Sequence, residues 1–95
     1  MEEKNLLRDL NPSDILTQVH RFNLIRDARL VYIDVHETLA GKLAARFVAV
    51  PNLVNIVARQ EFQGVGDSVR EALENCLKKI KDKAVEDLFP ATNNQ

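Results

Sequence analysis

Residues 64–80 read GVGDSVREALENCLKKI. Two glycines end an extended run, and Ser68 then stands where a helix cap is needed. Glu71, three residues on, completes a capping box. Val69, Ala72, Leu73, Cys76, Leu77 and Ile80 follow at spacings of three and four, which places them on one apolar stripe of a helix. Any core must be built against that stripe. Lys78, Lys79, Lys81 and Lys83 complement the negative end of the helix dipole, and Glu74 can pair with Lys78 across one turn.

Upstream of this helix the hydrophobic period changes. Between Asp27 and Glu37, Val31, Ile33 and Val35 alternate with Leu30, Tyr32, Asp34 and His36, the pattern of a half-buried strand. ETLAGK turns the chain, with Gly41 as its left-handed position. A second strand is expected from about Leu43 to Val50. Pro51-Asn52 reads as a turn, and a third strand is expected from about Val54 to Gln63. Earlier still, Asn11-Pro12-Ser13-Asp14 has the form of a helix start. Ile15, Leu16, Val19 and Phe22 continue it at helical spacing, so a helix is expected to about Phe22. AVEDLF is expected to add a short final turn before Pro90.

The expected fold is therefore α+β, in the order α-β-β-β-α. It is a three-stranded antiparallel meander with both helices packed on one face. Residues 1–10 read as an N-terminal arm, 11–90 as one domain and 91–95 as a C-terminal tail. The inner sheet face is expected to carry Val31, Ile33, Val35, Phe47, Ile56 and Phe62. The outer one then shows Leu30, Tyr32, Val48, Val50 and Val57 among charges, more apolar than a wetted face requires. Those five are the candidate partner-binding residues, for another protein or for a second copy in a homodimer. Leu6, Leu7 and Leu10 of the arm are the alternative cover for the same face.

Thirteen Lys and Arg against fourteen Asp and Glu leave a formal charge of −1, without the basic surplus of a general nucleic-acid binder. One cysteine allows no internal disulfide. MEEKNLLRDL is too charged for a signal peptide, and no apolar run approaches the roughly 20 residues that span a bilayer. The expected location is the cytoplasm, with no membrane contact.

The chemistry-bearing residues have ordinary structural readings. Cys76 on the apolar stripe acts as a small hydrophobe. Asp34, His36 and Glu37 are close in sequence but fall short of the three or four converging ligands of a metal site; their reading is a polar sheet face, with Arg46 and Arg59 as cross-strand partners of Asp34 and Glu61. Gly64-Val65-Gly66 before a helix can cradle an anion, but it lacks the third glycine of a dinucleotide loop and the lysine of a P-loop. No nucleophile stands beside a base. The chain is expected to be non-catalytic, with no cofactor.

The order α-β-β-β-α, with Gly64, Gly66, Ser68 and Ala72 followed by Cys76 and Ile80, resembles the double-stranded RNA-binding domain. That family closes its third strand with a G-x-G-x-S turn before a helix carrying K-K-x-A-K. Pro12 with Leu16 resembles the start of its first helix, and Gly41 with Phe47 its first-to-second strand segment. The resemblance spans about residues 11–81. It implies Gln18, Lys42 and Arg70 as nucleic-acid-binding residues, Gln18 toward a 2′-hydroxyl. The phosphate-gripping positions are Val69, Arg70 and Leu73, of which one is basic, and Lys42 replaces the family's proline-histidine pair after the loop glycine. Because phosphate contacts dominate affinity, binding to duplex RNA is expected to be weak or absent. Family members lacking those lysines are typically protein-interaction modules, and that role is what the resemblance implies.

Overall fold

The computed structural model describes residues 8–90. The fold is α+β, a four-stranded antiparallel sheet with helices on one side. The strands are β1 (Leu16–Arg26), β2 (Arg29–Ala40), β3 (Phe47–Asn52) and β4 (Gly64–Gly66). They lie side by side in chain order. A 3-10 turn at Gln60–Phe62 precedes β4. Two helices follow it, α1 (Val69–Ile80) and the single-turn α2 (Val85–Leu88). The expected arm and tail lie largely outside the described residues. Of the arm's three leucines only Leu10 is described, and it is half-buried.

The first element corrects the expected order. The helix over about 11–22 does not form; Leu16–Arg26 is a strand, so the order is four strands and then two helices. Asn11-Pro12-Ser13-Asp14 does make a local turn. Asn11 N donates to Asp14 Oδ2 at 2.8 Å, and Asp14 N to Asn11 O at 3.0 Å. The chain then extends because β2 offers eleven residues of ladder on its free side, from Arg26↔Arg29 to Leu16↔Ala40. Thr17, Val19, Phe22 and Ile25 suit that environment. The helical spacing of Ile15, Leu16, Val19 and Phe22 is overridden by pairing across sequence.

β1 and β2 are joined by only Asp27 and Ala28, at φ 52° and 64°. Two successive left-handed residues make the type I′ turn whose twist matches the strands. The expected ETLAGK turn is corrected in part: Glu37, Thr38, Leu39 and Ala40 continue β2, and the chain leaves the sheet at Gly41, which takes φ 86°.

β3 starts at Phe47 rather than Leu43, and Pro51-Asn52 is its end rather than a turn. Pro51 lies opposite Ile33 and beyond the last β4 partner, Gly64↔Ala49, where no β4 carbonyl asks for its missing N–H. The reversal comes one step later: Val54 sits at φ 76° between Leu53 O and Asn55 N, which bond at 2.9 Å. The expected third strand over about 54–63 is mostly irregular. Val57 makes an isolated bridge to Asn52, the 3-10 turn follows, and strand resumes only at Gly64.

The core lies between the sheet and the helices. Val31, Ile33 and Val35 of β2 and Phe47 and Ala49 of β3 meet Ala72, Cys76 and Ile80 of α1 and Val85 and Leu88 of α2. Ser68 caps α1 by accepting from Glu71 N at 3.0 Å; Glu71 Oε1 reaches back to Asp67 N at 2.6 Å. At the other end, Arg26 Nη1 donates to Ile80 O, the last residue of α1, and to Lys83 O just beyond it, both at 2.8 Å, placing a cation at the helix C-terminus.

Gly64 and Gly66 are neither a break nor an anion loop. They form β4, and α1 lies directly on them. A methyl at Gly64 would fall 2.7 Å from Cys76 Cα and closer still to Cys76 N and Ala72 O. One at Gly66 would fall 2.8–2.9 Å from Glu71 and Ala72 atoms. The pairing of small residues lets the helix backbone rest on the strand. Asn75 Nδ2 to Val65 O and Lys79 Nζ to Gln63 O, each 2.8 Å, fasten it there. The helix is thereby drawn toward β3 and β4, and Leu77, on the β1 side of the stripe, is left exposed.

Candidate interaction surface

With α1 and α2 on one face, the register assigns the other. Leu30, Tyr32, Asp34 and His36 of β2 share a side with Val19, Arg21, Asn23 and Ile25 of β1. Asn52, Val50 and Val48 of β3 lie on the same side. Leu30, Tyr32, Val48 and Val50 therefore stand on one face; Val57 is outside the strands, beside Asn52.

Their accessibility divides them. Leu30 is 45% exposed and its cross-strand neighbour Ile25 is 71% exposed, while Val57 is also open. Tyr32 and Val50 are half-buried. Val48 is only 5% exposed, in a shallow hollow of about 400 Å³ also lined by Ile15, Leu43 and Gln63. It belongs to the framework of this face rather than to its contact surface.

The centre of the face is polar and fixed. Asp34 accepts a fork from Arg21, Nε to Oδ1 at 2.8 Å and Nη2 to Oδ2 at 2.9 Å. Asn52 Nδ2 adds a third bond to Oδ2 at 2.9 Å. Asn52 Oδ1 accepts from Val54 N at 3.0 Å, so the same cluster supports the left-handed residue of the β3 turn. The Arg21 guanidinium lies over the Tyr32 ring, 4.1 Å from its centroid. The Arg21 fork, helped by Asn52, holds the Asp34 carboxyl below the usual carboxylate range against the opposing effect of burial. The same bond raises the Arg21 guanidinium.

Asp34 thus takes Arg21, not Arg46, as its cation. Arg21 was hidden in the segment whose spacing suggested a helix. Arg46 lies instead 3.6 Å from Glu37, whose other oxygen meets His20 Nε2 at 3.0 Å on the helix-side face. Arg59 uses its backbone N–H on Leu88 O. His36 Nδ1 pairs with Thr17 Oγ1 at 3.1 Å. Asp34, His36 and Glu37 consequently point to two faces and to separate partners. Among the described residues no three His, Cys, Asp or Glu side chains converge as a metal site would require.

Cys76 is buried, its Sγ donating to Phe62 O at 3.4 Å, and burial pushes its thiol up to about 11. The residues implied by the RNA-binding resemblance are scattered in kind. Gln18 is on β1, on the helix side, opposite Glu37. Lys42 is in the loop before β3. Arg70 opens α1 and pairs with Glu74 at 3.0 Å, in place of the expected Glu74–Lys78 pair. No helix among the described residues is long and apolar enough to cross a membrane. The chain matches no family model, no curated protein and no solved structure.

Proposed function

We propose that this chain is a small non-catalytic module that acts by receiving another protein on the open face of its sheet. One observation carries this reading: exposed Leu30 and Ile25 flank a Tyr32–Arg21–Asp34 cluster in which the Arg21–Asp34 fork is hydrogen-bonded and the guanidinium stacks on the Tyr32 ring. Tyrosine and arginine are the side chains that protein interfaces use most as anchors. An anchor held rigid before contact loses less freedom on binding.

The test is affinity capture with the immobilised chain, comparing the natural sequence with a Leu30→Glu, Val57→Lys double variant. Both side chains are exposed, so the thermal midpoint is expected to stay within a few degrees. A protein retained by the natural chain and released by the variant supports the reading. Identical retention by the two overturns it. So does a salt-sensitive mobility shift of duplex RNA at micromolar protein that Arg70→Ala abolishes, since that outcome follows from Gln18, Lys42 and Arg70 instead.

A further inference from the structure

We infer that two copies of this chain join through β1, edge to edge and antiparallel, into one continuous eight-stranded sheet. The inference rests on the backbone edge of β1, which shares Ile25 with the open face, and stands whether or not that face binds a partner.

Among the described residues β1 is an outer strand of eleven residues, LTQVHRFNLIR. Edges are ordinarily kept from pairing by shortness, proline, lysine or bulges. The opposite edge, β4, is three residues long. β1 has no proline; its charged side chains are Arg21, engaged with Asp34, and Arg26, engaged with Ile80 O and Lys83 O, and its one irregularity is at its start, between Leu16 and Thr17.

The direction of its free backbone groups follows from the ladder. Thr38 N donates toward β3, to Arg46 O, so even residues of β2 face β3 and odd ones face β1. The β1 partners of those odd residues are Arg26, Leu24, Phe22, His20 and Gln18. Thr17, Val19, Arg21, Asn23 and Ile25 therefore direct their N–H and C=O groups to the open edge.

A twofold axis through Phe22 makes the strand complementary to itself. Phe22 then faces Phe22 of the second copy in a close, non-hydrogen-bonded pair. Arg21 exchanges backbone bonds with Asn23, and Val19 with Ile25. No arginine meets an arginine among these pairs. Apolar side chains meet on both faces, Val19 with Ile25 on the open side and Phe22 with Phe22 on the helix side. All three are exposed in the single chain, Phe22 by 37%. Beside Phe22 the displacement of α1 toward β4 leaves a groove of about 210 Å³ that Leu24, Ile33, Leu73 and Leu77 also line. The second Phe22 and its neighbours would cover it.

Light scattering on the full chain at high micromolar concentration is expected to give twice the 10.8 kDa chain mass. Asn23→Pro removes an N–H that points to the open edge and leaves the ladder to β2 intact, so it is expected to return the mass to that of one chain with an unchanged circular dichroism spectrum. Phe22→Cys places two thiols across the axis, within disulfide reach for such a pair; it is expected to cross-link on mild oxidation many times faster than Ile25→Cys, whose counterpart is Val19. The native Cys76, being buried, does not compete. A single-chain mass in the natural protein overturns the inference. A double mass overturns it as well if Asn23→Pro, still folded, remains double, or if Phe22→Cys cross-links no faster than Ile25→Cys.

Discussion

Ala28 is an alanine where a hairpin of this kind prefers glycine. At φ 64° its Cβ crowds the backbone, a strain of about 1–2 kcal/mol for an L-residue. Ala28→Gly relieves it but adds freedom to the unfolded chain. A net gain of about 0.5–1 kcal/mol is expected, a rise in thermal midpoint of a few degrees by calorimetry. The same alanine explains why the turn was not legible: Asp-Gly announces such a hairpin, and Asp27-Ala28 does not. At Asp34 the prediction concerns pH. Its folded-state carboxyl lies below the ordinary value, because of Arg21 first and Asn52 second. Its contribution to stability is therefore present above about pH 4, the unfolded value, and is lost as pH falls through the lower folded one. Denaturant melts from pH 6 downward are expected to show the natural chain losing stability below about pH 4 more steeply than Asp34→Asn, the two converging in acid.

Among the elements, α1 was legible in its bounds, cap and buried stripe, because these are local features, while the exposure of Leu77 and the Arg70–Glu74 pair were not. β2 was legible through its clean alternation. β1 was not, because its apolar residues happen to fit a helical stripe and what makes it a strand is its pairing with β2, from Arg26↔Arg29 beside the turn, through Arg21↔Asp34, to Leu16↔Ala40 at the far end. The glycines before α1 were read as ending an extended run, whereas they are strand residues whose role is absence of bulk. Gly64→Ala forces the helix backbone away from β4, and overpacking of this kind costs about 1–3 kcal/mol, more when backbone must move. Chemical denaturation is expected to place this variant about 3 kcal/mol or more below the natural chain. Val65→Ala, between the two glycines but with its side chain exposed, is expected to lie within about 1 kcal/mol.

At the scale of the whole molecule, the α+β class and the placing of helices on one side of an antiparallel sheet were readable from period alone. The open face was readable as a set of residues, Leu30, Tyr32, Val48 and Val50, because strand alternation puts them together. Its division into accessible Leu30 and covered Val48 was not, since that depends on Ile15 and Leu43 arriving from loops. The seat of α1 on β4 has one more result. The chain's lone thiol lies beneath the helix, against glycine backbone, with no room for a reagent to approach it. An alkylating agent can meet Cys76 only after α1 has lifted from the sheet. The pace at which that sulfur is modified is thus a clock for the opening of the core, already installed in the natural sequence.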